Sequence, residues 1–132
     1  MHPQYPNVFS PIQLGPVELK NRFYSSPHAV PLNILGKPSV DFVHYNVASA
    51  KGGCGLVILS MVAHDRLRTV WPNIAPSEHI PAFQVLTDAV HAAGAKVFGE
   101  PWHFWSQPGY WNPFSPPAPA LGPSPAQFAF HG

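Results

Sequence analysis

Short apolar runs that alternate with helix-like segments are the feature that most constrains the fold of this chain. The strand candidates are Asn21–Ser26, Gly55–Ser60 and Ala95–Glu100. Their starts, near residues 22, 55 and 96, are 33 and 41 residues apart, which suits βαβ units of about 30 residues or more. Because parallel strands need crossover connections that usually hold a helix, the spacing predicts a parallel α/β arrangement.

Two helices are predicted between these strands. Ser39 is the expected N-cap of a helix from about residue 40 to residue 50, which Gly52 and Gly53 close. Ser77 is expected to cap a second helix, which Gly94 ends. This second helix carries apolar residues at spacings of three and four, as an amphipathic helix does: Ile80, Phe83, Leu86, Val90 and Ala93.

The middle strand and the N-terminal segment have different patterns. The run Gly55–Ser60 is almost wholly apolar, which is typical of a strand buried on both faces. Ahead of the first strand, residues 8–14 carry apolar side chains and are expected to be extended, until Gly15 and Pro16 interrupt the segment.

The length of 132 residues fits one ordinary domain, but not a closed barrel. Three strands and two helices are too few for an eight-fold barrel, which takes roughly 250 residues. Residues 101–132 contain no Asp, Glu, Lys or Arg, yet they hold three of the four tryptophans, Trp102, Trp105 and Trp111. We interpret this Pro/aromatic-rich segment as a functional loop, a partner-contacting segment, or both.

Composition excludes several classes of partner and location. The net charge is +1 and no basic run is present, so the sequence does not predict nucleic-acid binding. No uncharged apolar stretch approaches the roughly 20 residues that cross a bilayer, and the N-terminus lacks the pattern of a signal peptide. The single cysteine, Cys54, fits a reducing compartment. We therefore expect a cytoplasmic protein without a membrane segment.

Polar residues follow each of the three predicted strands. Ligands of parallel α/β proteins bind at the carboxyl ends of the strands, so the following residues are candidates. They are Ser26, Pro27, His28 and Ala29 after the first strand, Ser60 and Met61 at the second, and Glu100 and His103 at the third. Pro27 ends the first strand's hydrogen-bonding ladder and frees backbone groups nearby.

For two kinds of candidate side chain, a structural role fits the sequence as well as a role in a site. His28 and His103 suit hydrogen-bonding or acid–base roles near neutral pH, but a structural histidine fits the same pattern. Glu100 is the last charged residue of the chain, and it is either a site carboxylate or a solvated strand end. No two of the eight histidines show the spacing of a metal-binding motif, so no metal site is expected.

Several motifs, taken together and in order, resemble the Old Yellow Enzyme family of NADH:flavin oxidoreductases. Segments 9–15 (FSPIQLG) and 19–22 (LKNR) resemble the family's N-terminal signature. Segment 86–98 (LTDAVHAAGAKVF) is similar to its second helix and third strand. Trp102-His103 resembles the end of that strand, and residues 122–124 (GPS) resemble a later loop, so the resemblance extends over roughly residues 8 to 125.

The resemblance implies a (β/α)8 TIM barrel that binds FMN, with residues 1–132 as its N-terminal portion. Ser26–Ala29 would meet the flavin ring largely through backbone groups, and Ser60 and Met61 would flank it from the second strand. Glu100 stands where most members have a glutamine that hydrogen-bonds the pyrimidine edge of FMN, so an altered flavin potential is expected. His103 would also contact the cofactor.

Details of the motifs resemble the amine-dehydrogenase and dienoyl-CoA-reductase branch of the family: residues 22–24 (RFY), Pro27-His28 and Glu100. In trimethylamine dehydrogenase a cysteine after the Pro-His pair bonds covalently to flavin. Ala29 stands here, so non-covalent FMN is expected, with NAD(P)H as an electron donor. Met61 replaces a tyrosine of that enzyme's substrate cage, which argues against a methylamine substrate.

The resemblance also implies that other parts of the site come from elsewhere. In this family the substrate-binding pair, the catalytic acid and the phosphate-binding loops follow later in the barrel. We therefore expect the remaining barrel portion, or a partner subunit, to complete an FMN-dependent oxidoreductase, and we expect no turnover by this chain alone. The alternatives are a non-catalytic interaction subunit and a degenerate fragment of such a barrel; homo-oligomerisation is compatible with each.

Overall fold

The computed structural model describes residues 4–63 and 71–102. The first elements form an antiparallel hairpin of β1 (Ile12–Leu14) and β2 (Val17–Leu19), where the sequence predicts only an extended segment that ends at Gly15 and Pro16. The connection is the two-residue turn of Gly15 and Pro16. Gly15 has a positive φ of 55°, and proline fixes a negative φ at the next position, as in a type II′ hairpin turn.

Three parallel strands form the main sheet, in the order β3-β4-β5, as the spacing of the apolar runs predicted. They are β3 (Tyr24–Ser25), β4 (Leu56–Val62) and β5 (Lys96–Trp102). Helix α1 (Val40–Lys51) joins the first two strands, and helix α2 (Ile80–Ala92) joins the last two. The first strand is much shorter than the predicted Asn21–Ser26. At its start the Asn21 side chain accepts the Phe23 N–H, and at its end the ladder to β4 stops before the proline at position 27.

Both helices pack on one face of β4 and close the hydrophobic core there. Alternate side chains of a strand point to opposite faces, and Val57, Leu59 and Met61 share a buried cluster with Phe42 of α1 and Leu86 of α2. The other residues of this cluster are Ala50, Val90 and Ala95. The remaining side chains of β4, at positions 56, 58, 60 and 62, therefore lie on the opposite face, which the helices leave free.

The two helices begin in different ways, and one of the two predicted caps is wrong. Ser39 caps α1 as predicted, because its Oγ accepts a hydrogen bond from the Phe42 N–H at 3.2 Å. Ser77 instead starts a short 3₁₀ helix (Ser77–His79), and no side chain caps either that helix or α2. His79, the residue before α2, already has helical backbone angles, so the 3₁₀ turn leads directly into α2. Pro81 lies in the first turn of α2, where its missing N–H costs nothing.

The ends of the helices agree with the glycine signals of the sequence. Gly53 follows α1 with a φ of 109°, and Gly94 follows α2 with a φ of 81°, a region that glycine enters without steric cost. Among residues 4–63 and 71–102, no helix combines the length and the hydropathy needed to cross a membrane.

Candidate functional site

The carboxyl end of β4 presents its side chains to two different environments. The Ser60 side chain lies on the face that the helices leave free and is 7 % exposed. Met61 is also 7 % exposed, but its side chain belongs to the core cluster under the helices. Of the two candidates on this strand, Ser60 is therefore the one whose side chain lies on the face that the helices leave free. Met61 reaches that side only through its backbone.

Ser60 and Glu100 are direct partners across the parallel ladder of β4 and β5. Residues that pair directly in a sheet point to the same face, so the hydroxyl and the carboxylate lie side by side on the helix-free face. Glu100 is exposed, so its carboxylate is accessible at this end of the sheet. The structure thus brings together the two polar side chains that the sequence assigned to separate strand ends.

The segment after β3 lies at the same end of the sheet. Ser25 pairs with Val57 of β4, and the chain then leaves the ladder at Ser26. In the segment that follows, Val30 donates its N–H to the carbonyl of His28 at 3.0 Å. His28 and Ala29 are exposed and Pro27 is half-buried. Because the carboxyl ends of parallel strands lie at the same end of a sheet, this backbone lies at the end of the sheet that carries Ser60 and Glu100. His103, the remaining candidate, lies outside the described residues.

A segment for which no strand is predicted, residues 72–74, lies beside the outer end of β4. Val62 donates its N–H to the carbonyl of Pro72 at 2.7 Å and accepts the N–H of Ile74 at 2.9 Å. Residues 72–74 therefore extend the sheet beside β4, at a position that the short β3 does not reach. The intervening residue, Asn73, pairs with Val62 in a parallel bridge.

Asn73 is fully buried and ties three parts of the chain together. Its N–H donates to the Gly36 carbonyl at 2.8 Å, its Oδ1 accepts the Ala75 N–H at 3.0 Å, and its carbonyl contacts Nδ1 of His79 at 2.8 Å. A carbonyl accepts only, so Nδ1 of His79 carries the proton in this contact. No periodicity marks an asparagine in a polar loop, and so the sequence alone gave no signal for this group.

Chemically, the described groups at this edge are hydrogen-bonding groups. An ionised carboxylate accepts hydrogen bonds, and a hydroxyl both donates and accepts. Backbone groups beyond β3 add donors and acceptors that no sheet ladder uses. Within the described residues, no three His, Cys, Asp or Glu side chains cluster as metal ligands. Such an edge suits a planar ligand with alternating donors and acceptors along one side.

Comparison with known proteins gives the family context of this edge. Residues 7–112 match the model of the NADH:flavin oxidoreductase / NADH oxidase family. The chain is 40 % identical over 96 residues to an N,N-dimethylglycine/sarcosine dehydrogenase of Chromohalobacter salexigens, covering 68 % of this chain and 14 % of that protein. It is 35 % identical to an NADH oxidase of Thermoanaerobacter brockii, covering 94 % of this chain and 20 % of the oxidase. The chain thus spans a fifth or less of these relatives.

Solved structures identify the architecture. The chain superposes on the Old Yellow Enzyme of Pichia sp. AKU4542 with a TM-score of 0.66 and 25 % identity, covering 73 % of this chain and 26 % of that enzyme. The 6-hydroxypseudooxynicotine amine oxidase of Pseudomonas geniculata N1 gives a TM-score of 0.64 at 30 % identity, covering 76 % of this chain and 15 % of that one. The described sheet and helices are therefore part of a (β/α)8 barrel, as predicted.

Proposed function

We propose a flavin-linked function for this chain, which belongs to the NADH:flavin oxidoreductase / NADH oxidase family. In this proposal the chain is the N-terminal portion of an FMN-dependent oxidoreductase barrel. The observation that carries it is the pairing of Ser60 with Glu100 on the helix-free face, at the carboxyl end of the sheet. Bound FMN would supply hydride transfer between NAD(P)H and an acceptor, a chemistry that side chains lack.

The groups at this edge fit one side of a flavin ring. The pyrimidine side of the ring carries one N–H donor between two carbonyl acceptors. The Glu100 carboxylate can accept from that N–H, and the Ser60 hydroxyl can donate to a neighbouring carbonyl. The backbone of Ser26–Ala29 lies beyond the end of β3, where its polar groups are outside the sheet ladder. These residues would bind and orient the ring by its edge.

The same geometry limits what this chain contributes. Its described polar groups at the carboxyl edge match a ring, whereas hydride transfer also needs a substrate site and a grip on the FMN phosphate. We assign both to the remaining barrel portion or to a partner subunit. A cytoplasmic location is part of the proposal and is supported by the single, half-buried Cys54.

A titration with two flavins tests the proposed ring site. Riboflavin and FMN share the ring but differ in the phosphate, so we expect the purified chain to bind both with similar dissociation constants, measured by quenching of flavin fluorescence. Failure to bind either flavin would contradict a ring site on this chain. A strong preference for FMN would contradict the assignment of the phosphate grip to another part of the barrel.

Single substitutions test whether Glu100 contacts the flavin ring. Glu100→Ala should weaken binding of both flavins about tenfold, because a hydrogen bond to a charged group is lost. Glu18→Ala is the matched control, since Glu18 is exposed on the separate hairpin, and its affinity should equal that of the unmodified chain. Glu100→Gln should keep the affinity but raise the midpoint potential of bound flavin, because it removes a negative charge beside the ring. Equal potentials would contradict a contact between Glu100 and the flavin.

A further inference from the structure

An aromatic pair lies next to Ser60 and Glu100 at the carboxyl end of the sheet. The rings of Trp71 and Trp102 meet edge to face, with centroids 5.8 Å apart and planes inclined at 70°. Aromatic rings prefer such an arrangement, and it stabilises a pair beyond the burial of its apolar area. Sequence reasoning placed Trp102 in a Pro/aromatic-rich segment and assigned no role to Trp71.

The strand register places Trp102 on the same face as the candidate site. Trp102 pairs with Val62 of β4, as Glu100 pairs with Ser60. Residues two apart on a strand share a face, so Trp102 belongs to the helix-free face with Glu100. Each residue of a strand rises about 3.3 Å, which puts Trp102 about 7 Å beyond Glu100 along that face.

Trp71 approaches from the opposite side of β4. The residue after it, Pro72, accepts the Val62 N–H at 2.7 Å, and this bond holds the segment beside β4 on the side away from β5. Neighbouring strands lie about 4.8 Å apart, so the backbones of Trp71 and Trp102 are about two strand spacings apart. Because their ring centroids are only 5.8 Å apart, the two side chains extend toward each other across the end of β4. Val62, which lies between them on β4, is fully buried.

The backbone next to Trp71 is anchored by buried contacts. Pro72 and Asn73 are fully buried, and the Asn73 N–H donates to the Gly36 carbonyl at 2.8 Å. Trp71 therefore starts from a fixed backbone. Its ring restricts the side-chain torsions of Trp102, which otherwise choose among several staggered rotamers.

We propose that Trp71 is a positioning residue, which holds the Trp102 ring across the end of β4 beside the Ser60–Glu100 pair. The inference rests on the proposed function, because a flavin ring bound by its edge at that pair has the Trp102 indole as its aromatic neighbour. Trp71 then acts on flavin binding only through Trp102. Closure of the barrel keeps this arrangement, since the helix-free face is the interior of a (β/α)8 barrel and neither ring depends on a free strand edge.

Circular dichroism of the full chain without flavin tests the contact between the two rings. Indole rings in edge-to-face contact couple their ultraviolet transitions, so Trp71→Phe and Trp102→Phe should remove the same band. Phe9→Leu is the matched control, because Phe9 and Phe23 form a tilted pair with centroids 5.4 Å apart at the amino end of the sheet. This control should keep the band. Unlike changes in the spectra of the two tryptophan variants would overturn the proposal.

Riboflavin binding tests the positioning role, measured by equilibrium dialysis because indole rings themselves quench flavin fluorescence. Trp71→Leu should raise the dissociation constant about fivefold, whereas Trp71→Phe should stay within about twofold of the unmodified chain, since a phenyl ring keeps an edge-to-face contact. Trp102→Leu should show the same loss as Trp71→Leu. In the Trp102→Leu background, Trp71→Leu should have no further effect, because residues that act through one contact are not additive.

The pattern of losses separates positioning from a general structural role. Additive losses in the double variant, or equal losses for Trp71→Leu and Trp71→Phe, would overturn the proposal. Phe9→Leu should leave the dissociation constant unchanged, and a loss there as large as that of Trp71→Leu would also overturn it. Failure of the unmodified chain to bind riboflavin would contradict the proposed function, and the circular dichroism of the two tryptophan variants then decides the positioning role by itself.

Discussion

The side chain of Met61 fills the space that a side chain on Gly99 would need. A Cβ at Gly99 would lie 3.0 Å from Cε and 3.1 Å from Sδ of Met61. The two residues come from neighbouring strands, since Gly99 pairs with Leu59 and Met61 with Pro101. An alanine at position 99 would therefore require the end of the Met61 side chain to shift by a few tenths of an ångström, at the strand ends that carry the candidate site.

We expect Gly99→Ala to destabilise the chain by about 1 kcal/mol, because the added methyl group crowds Met61. The same substitution in a Met61→Val background should cost less or stabilise, since the shorter side chain lacks the crowded atoms. Chemical denaturation of the four proteins of this double-mutant cycle gives the coupling energy. A coupling energy of zero would show that Met61 does not determine the destabilisation caused by Gly99→Ala.

Asn21 joins the start of the sheet to the turn after α1. Its Nδ2 donates to the Gly53 carbonyl at 2.8 Å, and its Oδ1 accepts the Phe23 N–H at 3.1 Å. A Cβ at Gly55 would lie 2.8 Å from that Oδ1 and 3.0 Å from the Asn21 carbonyl oxygen. Gly55 thus allows the close approach of two backbone segments.

Substitutions on either side of this contact should destabilise the chain. We expect Gly55→Ala to cost about 2–3 kcal/mol, because it pushes apart backbone that cannot shift as a flexible side chain does. Asn21→Ala should cost about 2 kcal/mol through the loss of two hydrogen bonds. Gly15→Ala is the control for added volume, since a Cβ there meets nothing within 4 Å. Its cost comes only from the positive φ of 55°, about 1 kcal/mol.

The two serines that were expected to cap helices should respond differently to alanine. Ser39→Ala should lower the free energy of unfolding by about 1 kcal/mol, because the hydroxyl accepts from the Phe42 N–H and donates to the Leu32 carbonyl. Ser77→Ala should change it by less than about 0.5 kcal/mol, since no side chain caps the turn that it starts. Thermal or urea unfolding of both variants measures the difference, and equal losses would refute the distinction.

Leu35 occupies a backbone conformation that suits other residues better. Its φ is 51°, and its side chain is 57 % exposed at the tip of a turn closed by two hydrogen bonds between Ile34 and Lys37. Asparagine tolerates this region better than leucine, so Leu35→Asn should stabilise the chain by about 0.5–1 kcal/mol. Leu32→Asn, at a half-exposed position without a positive φ, should give no gain. Stabilisation by both variants would point to a solubility effect instead.

The sequence predicted the parallel sheet well because its signals there are local. The apolar run of β4, the serine before α1 and the glycines after both helices each act within one element, and the structure confirms them. The capping role of Ser77 was wrong because a 3₁₀ turn starts at this residue and leads into α2 with His79 already in helical conformation. The hairpin of β1 and β2 was missed because its strands are short and carry little periodicity.

The sequence by itself determined the order of strands and helices in the parallel sheet, the family through its ordered motifs, and the residues at the strand ends, because each depends on residue type and spacing. Only the tertiary structure decided which of those residues share a face. The period of two along β4 places Ser60, with Glu100, on the helix-free face, and it places Met61 in the core. This assignment depends on where the helices pack. The roles of Asn21, Asn73 and Gly99 likewise required the folded chain, because each is defined by contacts between segments distant in sequence.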